Sequence, residues 1–449
     1  MTSVLALFQD PDVPLQAGED FGGHQMVHPI GAAALGLMAV LALIVPRRWL
    51  CLPVILMLCF IPAGQRLIVA TLDFSFLRIL MVVVWTRFFL RGDWRPIVWN
   101  HLDTAMALWA GLSVVTGTLQ VMTVSAFINR FGLSVDAAMV YFFFRILIRD
   151  YRDLAQIAGV FMVCSAVVLT FFVIENRTSK NMFAVMGGVP EFTDIRGGRL
   201  RCQGAFAHSI LAGCFWACVI PFYFARGWLR RRWLPVGACV AIAIGIVYLS
   251  SSSTPIMALA FGFAAGATWL IRHALRWIRW LVFGVLCALH FVMMDLPVWH
   301  LLARVDLVGG STGWHRYHLV DKAILNLGEW WLFGTPRTGH WGEGLHDVTN
   351  QFVAEGISGG LARLVLFSAM LWLAFVGISR SMRLVPGGRT YKLISWALGT
   401  ALFMHCMNFI GVTYFDQIVV LFYLNLAAIA SLTLVPGAPV VRQLAELKP

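Results

Sequence analysis

Residues 154–174 read LAQIAGVFMVCSAVVLTFFVI, an apolar stretch without a single charged side chain. As a helix, which rises about 1.5 Å per residue, it would be about 30 Å long, the thickness of the hydrocarbon core of a bilayer. Lipid offers no hydrogen-bond partners to backbone amide and carbonyl groups, so a helix is the open-chain structure that satisfies them there. The stretch therefore predicts a membrane-spanning helix.

Similar apolar stretches recur along the 449-residue chain. Hydrophobic residues make up 59% of it and charged residues 12%, whereas a soluble globular domain carries about 25% charged residues. This composition excludes an ordinary soluble domain, and it excludes a disordered chain, which lacks such apolar content. We predict an all-α, polytopic transmembrane bundle of about twelve to thirteen spans. They are placed at residues 29–46, 49–64, 70–90, 102–122, 132–148, 154–174, 206–225, 233–250, 255–271, 277–297, 355–379, 391–410 and 413–435.

The basic residues alternate with these spans. Most lysines and arginines follow odd-numbered spans, and the positive-inside rule places those loops in the cytoplasm. The formal net charge of +12 would suggest a nucleic-acid partner for a soluble chain. Because the arginines are dispersed between apolar stretches, we instead expect contacts with anionic membrane lipids and no nucleic-acid partner.

Two long polar segments interrupt the apolar pattern. Residues 175–205 and 298–354 both follow even-numbered spans and therefore share the outer side of the membrane. They are rich in Trp, Gly and Arg, and loops of this length are uncommon unless they are functional or disordered. We expect two ordered outer loops within one membrane domain, residues 29–435. An outer N-terminal tail at 1–28, without a signal peptide, and a cytoplasmic C-terminal tail at 436–449 flank this domain.

The first outer loop ends with three arginines within six positions, Arg196, Arg199 and Arg201, and runs directly into a span. Guanidinium groups bind phosphate through two parallel hydrogen bonds and stay charged when partly buried. The expected partner is a diphosphate group. The simpler alternative is a lipid headgroup or the nearby acids Glu191 and Asp194.

The second outer loop gathers titratable residues although the chain has few of them. Histidine titrates near neutral pH and transfers protons, and a carboxylate can orient it or act as a base itself. We take His346 or His340 as the candidate base, with Asp347 as orienting partner or substitute base. The simpler alternative is a belt of interfacial tryptophans with solvated histidines beside it.

Other polar groups have structural interpretations. Ser250 to Thr254 are expected to cap the helix that begins at Pro255, and Asp73 is expected to pair with Arg78 inside the bundle. The nine cysteines show no disulfide framework.

Metal chemistry has weak support. His315 and His318 have helical spacing, but no cysteine or carboxylate completes a recognisable metal site with them. We predict neither a metal site nor a cofactor.

Four short motifs stand together in this chain. They are Arg201-x-x-Gly204-x-Phe206 before a span, the serine-rich segment at 250–253, Arg316 opening an amphipathic stretch that leads to Leu332-Phe333-Gly334, and Asn350-Gln-Phe-Val-Ala-Glu-Gly356-Ile-Ser-Gly359. Over roughly residues 60–430, this organisation resembles the O-antigen ligase and polysaccharide polymerase superfamily of bacterial inner-membrane glycosyltransferases. The chain departs from the family where Thr349 replaces the usual histidine, and where Ser-Thr-Pro replaces Ser-Arg-Gly.

The resemblance implies an inverting, metal-independent glycosyl transfer at the periplasmic face of the bacterial inner membrane. The donor would be a glycan on undecaprenyl diphosphate. The acceptor would be a sugar hydroxyl, on lipid A core for a ligase or on another lipid-linked glycan for a polymerase.

The residues suit this chemistry. Arg199, Arg201 and Arg316 are expected to bind the diphosphate and stabilise the charge that develops on it, in place of a metal ion. Supporting contacts to the substrate are expected from Gln203, His315 and Asn350.

Two other functions compete with this one. A transporter or flippase of a lipid-linked or anionic substrate would place its charged groups near the middle of the bilayer, often at broken helices. Here most functional-looking residues lie in outer loops, and only Asp73, Arg78 and Asp136 suggest membrane depth. A non-catalytic assembly factor would tolerate loss of Arg201 and Arg316.

Overall fold

The structure, a computed structural model, describes residues 26–69, 72–93, 97–304, 313–384 and 388–433. The tails expected at 1–28 and 436–449 therefore lie almost entirely outside the described residues, as does part of the second outer loop. Fifteen α-helices and four short strands make up the described regular structure, apart from brief 3₁₀ and π turns. The helices are α1 (Pro29–Ile44), α2 (Cys51–Phe60), α3 (Phe76–Arg91), α4 (His101–Val121), α5 (Val124–Leu147), α6 (Tyr151–Thr178), α7 (Ser209–Arg230), α8 (Trp233–Leu249), α9 (Ser253–Ala267), α10 (Leu275–Ala288), α11 (Gly313–Leu325), α12 (Leu327–Trp330), α13 (Gln351–Leu384), α14 (Arg389–Gly411) and α15 (Gln417–Leu432). The strands are β1 (Arg66–Val69), β2 (Leu72–Ser75), β3 (Ile195–Arg196) and β4 (Arg199–Leu200).

The all-α, polytopic prediction is confirmed, since each predicted span contains a helix and the strands are few. Within the described part of the chain, seven helices are long and apolar enough to cross a membrane, and four shorter ones are also apolar. The seven are His101–Val121, Val124–Leu147, Tyr151–Thr178, Ser209–Arg230, Leu275–Met293, Gln351–Arg383 and Arg389–Gly411. This supports a multi-pass membrane protein with fewer full-length spans than the thirteen predicted.

Two predicted boundaries are wrong. The span expected from residue 70 begins instead at Phe76, because β1 and β2 pair as an antiparallel hairpin ahead of it. Ser75 ends this hairpin and caps α3, its side chain accepting a hydrogen bond from the Arg78 backbone amide. The span expected over 132–148 begins eight residues earlier, at Val124.

The core lies around α7, which packs against α6, α8, α9 and α14. Trp216 and Tyr223 of α7 are fully buried, as large apolar side chains are at the centre of a packed bundle. This central helix begins directly after the first outer loop and so fixes that loop to the core.

Contacts among the loops define two ends of the bundle. At one end, called the site end here, α7, α9, α13 and α15 begin and α8 and α14 end. At the opposite end, the start of α4 meets the end of α5, and the starts of α6 and α14 touch each other. The basic loops after the odd-numbered spans gather at this opposite end.

Candidate functional site

Arg201 and Arg316 converge on the start of α9. Arg201 Nη2 donates a hydrogen bond to Ser252 Oγ over 3.1 Å, and Arg316 Nη2 donates to Thr254 Oγ1 over 2.9 Å. Since these two acceptors are two residues apart, each of the two outer loops places a guanidinium group at the start of α9.

A small hairpin positions Arg201. Strands β3 and β4 pair antiparallel, and Gly197 and Gly198 adopt positive φ at the turn between them, which glycine allows without strain. The Arg201 amide then donates to Asp194 O, and the Cys202 amide donates to Leu249 O at the end of α8. The loop is thereby tied to the bundle at the residue that carries the guanidinium group.

Helix α11 carries Arg316, whose side chain is buried against α14. Only 7% of Arg316 is exposed. A Cβ atom added to Gly411 would lie 3.5 Å from Arg316 Cζ and 3.1 Å from the Thr254 side chain. Glycine at 411 therefore lets the backbone at the end of α14 approach both groups closely.

The positive charges of the two arginines are balanced differently. Arg201 forms an ion pair of 3.1 Å with Asp194, whose side chain is 61% exposed, whereas Arg316 has no carboxylate partner among the described residues. Burial lowers the pKa of both guanidinium groups, and the charge of Arg196 lowers it further. The Nε atoms of Arg201 and Arg316 are buried and have no hydrogen-bond acceptor in the described structure.

The start of α9 adds to this positive potential. Ser250 to Thr254 were expected to cap α9, but Ser252, at the capping position, makes no side-chain cap hydrogen bond. Its hydroxyl instead accepts from Arg201 and donates to Ser250 O. Uncapped amides at a helix start and two guanidinium groups with spare donors are together suited to an anion.

Arg199 lies apart from this pair. It stands opposite Arg196 on the β3–β4 hairpin, and both side chains are exposed. No described contact joins Arg199 to Ser252, Thr254 or Arg316. Its position is that of a surface cation at the rim of the site.

Gln203 and Asn350 hold backbone in place beside the arginines. Gln203 Nε2 donates to the backbone carbonyls of Phe206 and Ala207. The side-chain nitrogen that was predicted to contact the substrate therefore binds the protein backbone instead. Asn350 Oδ1 caps the first turn of α13, and its Nδ2 donates to Ile410 O over 3.2 Å. Both residues act in this structure as positioning groups.

Glu175 was not singled out from the sequence. Its carboxylate is buried and accepts hydrogen bonds from the Gln203 amide, the Gly204 amide and Thr193 Oγ1, each over 3.0 to 3.1 Å. It therefore organises the Arg201-x-x-Gly204 segment. A lone acid directly after a predicted span, at the start of the first outer loop, was the signal available in the sequence.

The predicted bases lie in the second outer loop, which also carries Arg316. His340 is 54% exposed, with Nε2 2.8 Å from Glu329 Oε2. His346 and Asp347 are exposed, and His315 Nε2 lies 3.0 Å from the Asp347 carbonyl oxygen. Hydrogen bonds from Trp341 and His340 lower the pKa of Glu329. No described contact joins these groups to Arg201 or Arg316.

The sequence reasoning missed a carboxylate at the site end of the bundle. Asp416, between α14 and α15, has φ 57° and ψ −133°, a conformation that non-glycine residues rarely adopt. Burial raises its pKa to about 6, and the charge of Arg66 opposes that shift. The Asp416 carboxylate has no hydrogen-bond partner within the described residues. Strain and a raised pKa together are typical of functional carboxylates.

The segment that carries Asp416 is fastened to both outer loops. Thr413 Oγ1 donates to Val348 O, and the Tyr414 amide donates to Gln351 Oε1 over 2.8 Å. On the other side, Gln417 Nε2 donates to Ala205 O over 2.9 Å. Asp416 therefore lies between the Arg201-x-x-Gly204 segment and the Asn350 motif.

Helix α13 is broken where the outer loop docks. Gly359 and Gly360 have non-helical backbone angles, and a Cβ on Gly360 would lie 2.2 Å from Leu332 O. The Leu361 amide donates to Trp331 O, and the Thr335 amide donates to Ile357 O, each over 2.8 Å. The broken helix thus holds the Leu332-Phe333-Gly334 turn through backbone hydrogen bonds.

An ion pair lies beside the break. Arg363 Nε is 2.8 Å from Glu355 Oε2, without hydrogen-bond alignment, and Trp109 Nε1 donates to the same oxygen over 2.9 Å. A cavity of about 130 Å³ adjoins this pair.

The ion pair expected between Asp73 and Arg78 is wrong. The Asp73 carboxylate instead pairs with Arg66, and Arg78 pairs with Asp136, both over 2.6 Å.

Metal ligands do not cluster in this part of the molecule. Over the described ranges, no group of three or more His, Cys, Asp or Glu side chains could hold a metal ion, and all nine cysteines are free thiols.

No protein-family model matches the chain, and no curated protein matches it.

Proposed function

We propose that this protein transfers a glycan from undecaprenyl diphosphate to a sugar hydroxyl at the periplasmic face of a bacterial inner membrane. The observation that carries the proposal is the convergence of Arg201 and Arg316, with unsatisfied donors, at the uncapped start of α9. A diphosphate is a doubly charged, oxygen-rich group, and bidentate guanidinium donors match its geometry.

The reaction would proceed by direct displacement with inversion. The acceptor oxygen forms a bond to the anomeric carbon of the donor sugar while the bond from that carbon to the diphosphate oxygen breaks. Arg316 and Arg201 stabilise the charge that develops on the leaving diphosphate. A well-placed donor in a partly dry site contributes about 3 kcal/mol to this stabilisation.

The acceptor hydroxyl gives its proton to a base. The candidates are His346, His340 and Asp347 of the second outer loop, joined by Asp416 from the α14–α15 segment. Asp416 is favoured by its place between two motif segments and by a pKa near 6, which leaves it mostly ionised at neutral pH.

A transporter or flippase is the second candidate function. Two observations favour it: the break in α13 at Gly359 and Gly360, and the buried Glu355–Arg363 pair beside it. Broken helices and intramembrane charges are features of transporter binding sites. Such a protein would move the lipid-linked glycan without forming a glycosidic bond.

Reconstitution in proteoliposomes tests the proposal. A radiolabelled glycan on undecaprenyl diphosphate is supplied with either lipid A core or a second lipid-linked glycan. We expect a new glycosidic product, whose identity separates ligase from polymerase, and we expect it to form in EDTA. Movement of intact donor without any new product would show a transporter instead.

Arg316→Ala serves as the site variant in this assay, and Arg230→Ala, an exposed arginine at the opposite end of α7, is its matched control. The proposal requires loss of transfer in the first variant and wild-type transfer in the second.

A further inference from the structure

An apolar cleft of about 330 Å³ lies between α7, α9 and α14. Its walls include Ile220 and Phe224 of α7, Leu259 and Gly266 of α9, and Met404 of α14. Thr400 brings the only hydroxyl group among the lining residues. The cleft therefore suits a hydrocarbon chain and no polar ligand.

Glycine on α9 opens the cleft. A Cβ atom added to Gly266 would meet nothing within 4 Å, so space remains beside the helix at that position. Trp396, which also lines the cleft, donates its indole N–H to Ala265 O over 3.1 Å. Its polar atom is thereby satisfied by the protein, and the wall stays apolar.

Two of the helices that line the cleft, α9 and α14, also carry residues that contact Arg316. Thr254, which binds Arg316, precedes Leu259 by five residues and Ala267 by thirteen, or about 8 and 20 Å along α9. Gly411, which packs against Arg316, follows Met404 by seven residues, or about 10 Å along α14. A prenyl chain attached to a diphosphate at Arg316 would thus reach the cleft only about 8 to 10 Å away from the diphosphate.

We propose that this cleft binds the distal isoprene units of the donor's prenyl chain, and that the protein consequently discriminates donors by chain length. The inference rests on the proposed function, since the diphosphate at Arg201 and Arg316 directs the chain towards the cleft. A short prenyl chain would end above the cleft and leave it to membrane lipid.

The expected affinity gain comes from packing. A prenyl chain leaving the bilayer for the cleft exchanges one apolar environment for another, so the hydrophobic effect contributes little. Close contact with rigid helix walls supplies dispersion attraction that fluid lipid does not. We therefore expect a preference of about tenfold in KM for long over short donors.

Filling the cleft tests this inference. Gly266→Phe places a ring in the open space beside α9, and Gly237→Phe places the same ring on α8, where a Cβ also meets nothing within 4 Å. In reconstituted transfer, Gly266→Phe should raise the KM of an undecaprenyl donor to that of a geranyl donor and leave the geranyl donor unchanged. Gly237→Phe should retain the wild-type preference. Equal KM values for both donors in the wild type would overturn the inference while leaving transfer itself established.

A second measurement does not depend on transfer. Undecaprenyl phosphate that carries a photoreactive diazirine at its distal end is crosslinked to the wild-type protein in vesicles, beside phosphatidylethanolamine with the diazirine on an acyl chain. We expect the prenyl probe to label peptides of α7, α9 and α14, and Gly266→Phe to remove that labelling. Equal labelling of these peptides by the phospholipid probe, or none by the prenyl probe, would show that the cleft is a lipid site and contradict the inference.

Discussion

Arginines gather at both ends of the bundle, and their partners differ. At the opposite end, Arg145 of α5 binds Asp103 of α4 through Nε and Nη2 over 2.7 and 2.8 Å, and Tyr141 donates to the same carboxylate. At the site end, buried Arg316 has a hydroxyl partner and no acid among the described residues. A buried cation with its acid stabilises the fold, whereas a buried cation without one lowers stability and is available to an anionic ligand.

The largest effect is expected at the opposite end. Arg145→Ala leaves the carboxylate of Asp103 buried without its cation, which should lower the free energy of unfolding by about 3–5 kcal/mol. Thermal unfolding in detergent measures the change as a lower Tm. A wild-type Tm would contradict the structural role assigned to this pair.

At the site end, stability and activity should separate. Arg316→Met removes a buried charge that has no acidic partner among the described residues, so the Tm should stay the same or rise, while glycan transfer should fall about 100- to 1,000-fold. Unfolding and transfer are measured on the same preparation. A fall in Tm like that of Arg145→Ala would make Arg316 a structural residue and would remove the distinction between the two ends.

The base is expected to give a pH signature. Asp416 has a folded-state pKa of about 6, raised above the ordinary value of about 4, so transfer should fall as pH drops through 6. Asp416→Asn should abolish the acidic limb along with most of the activity. By linkage, ionisation of Asp416 reduces stability as pH rises through 6, so the Asn variant should also be the more stable protein above that pH.

Histidine variants complete this test. His346→Ala should slow transfer more than His340→Ala, since His340 is already bound to Glu329. If Asp416→Asn keeps the wild-type pH profile and His346→Ala loses its acidic limb, the base belongs to the second outer loop.

The smallest effect is expected at Arg199. Its side chain is exposed on the hairpin, where solvent and salt screen its charge, so Arg199→Ala should change transfer less than about threefold at physiological ionic strength. Transfer at low and high salt measures this. A loss as large as that of Arg316→Met would place Arg199 within the diphosphate site.

Hydropathy and loop charge were sufficient to predict the helices and the two ends, because spans are local apolar stretches. The convergence of Arg201 and Arg316 on the start of α9 could also be predicted, since both belong to short motifs in loops expected on one side. Asp416, however, is a single acid between two apolar stretches, and its meaning depends on backbone conformation and on contacts far along the chain.

Pairing partners were the least predictable feature. Asp73 and Arg78 are one turn apart in sequence, but the β1–β2 hairpin turns Asp73 towards Arg66 and leaves Arg78 to Asp136 on α5. Ser252, directly before α9, likewise binds Arg201 and does not cap the helix that follows it. The spacing of two residues in the sequence does not show which side chain from elsewhere in the chain will bind one of them instead.

Direct binding of undecaprenyl diphosphate, without a sugar, tests the central claim on purified protein. The wild type should bind the diphosphate more tightly than undecaprenyl alcohol. Arg201→Ala and Arg316→Ala should each weaken diphosphate binding by about 10- to 100-fold and leave the affinity for the alcohol unchanged. Wild-type affinity for the diphosphate in both variants would contradict a shared arginine site at the start of α9.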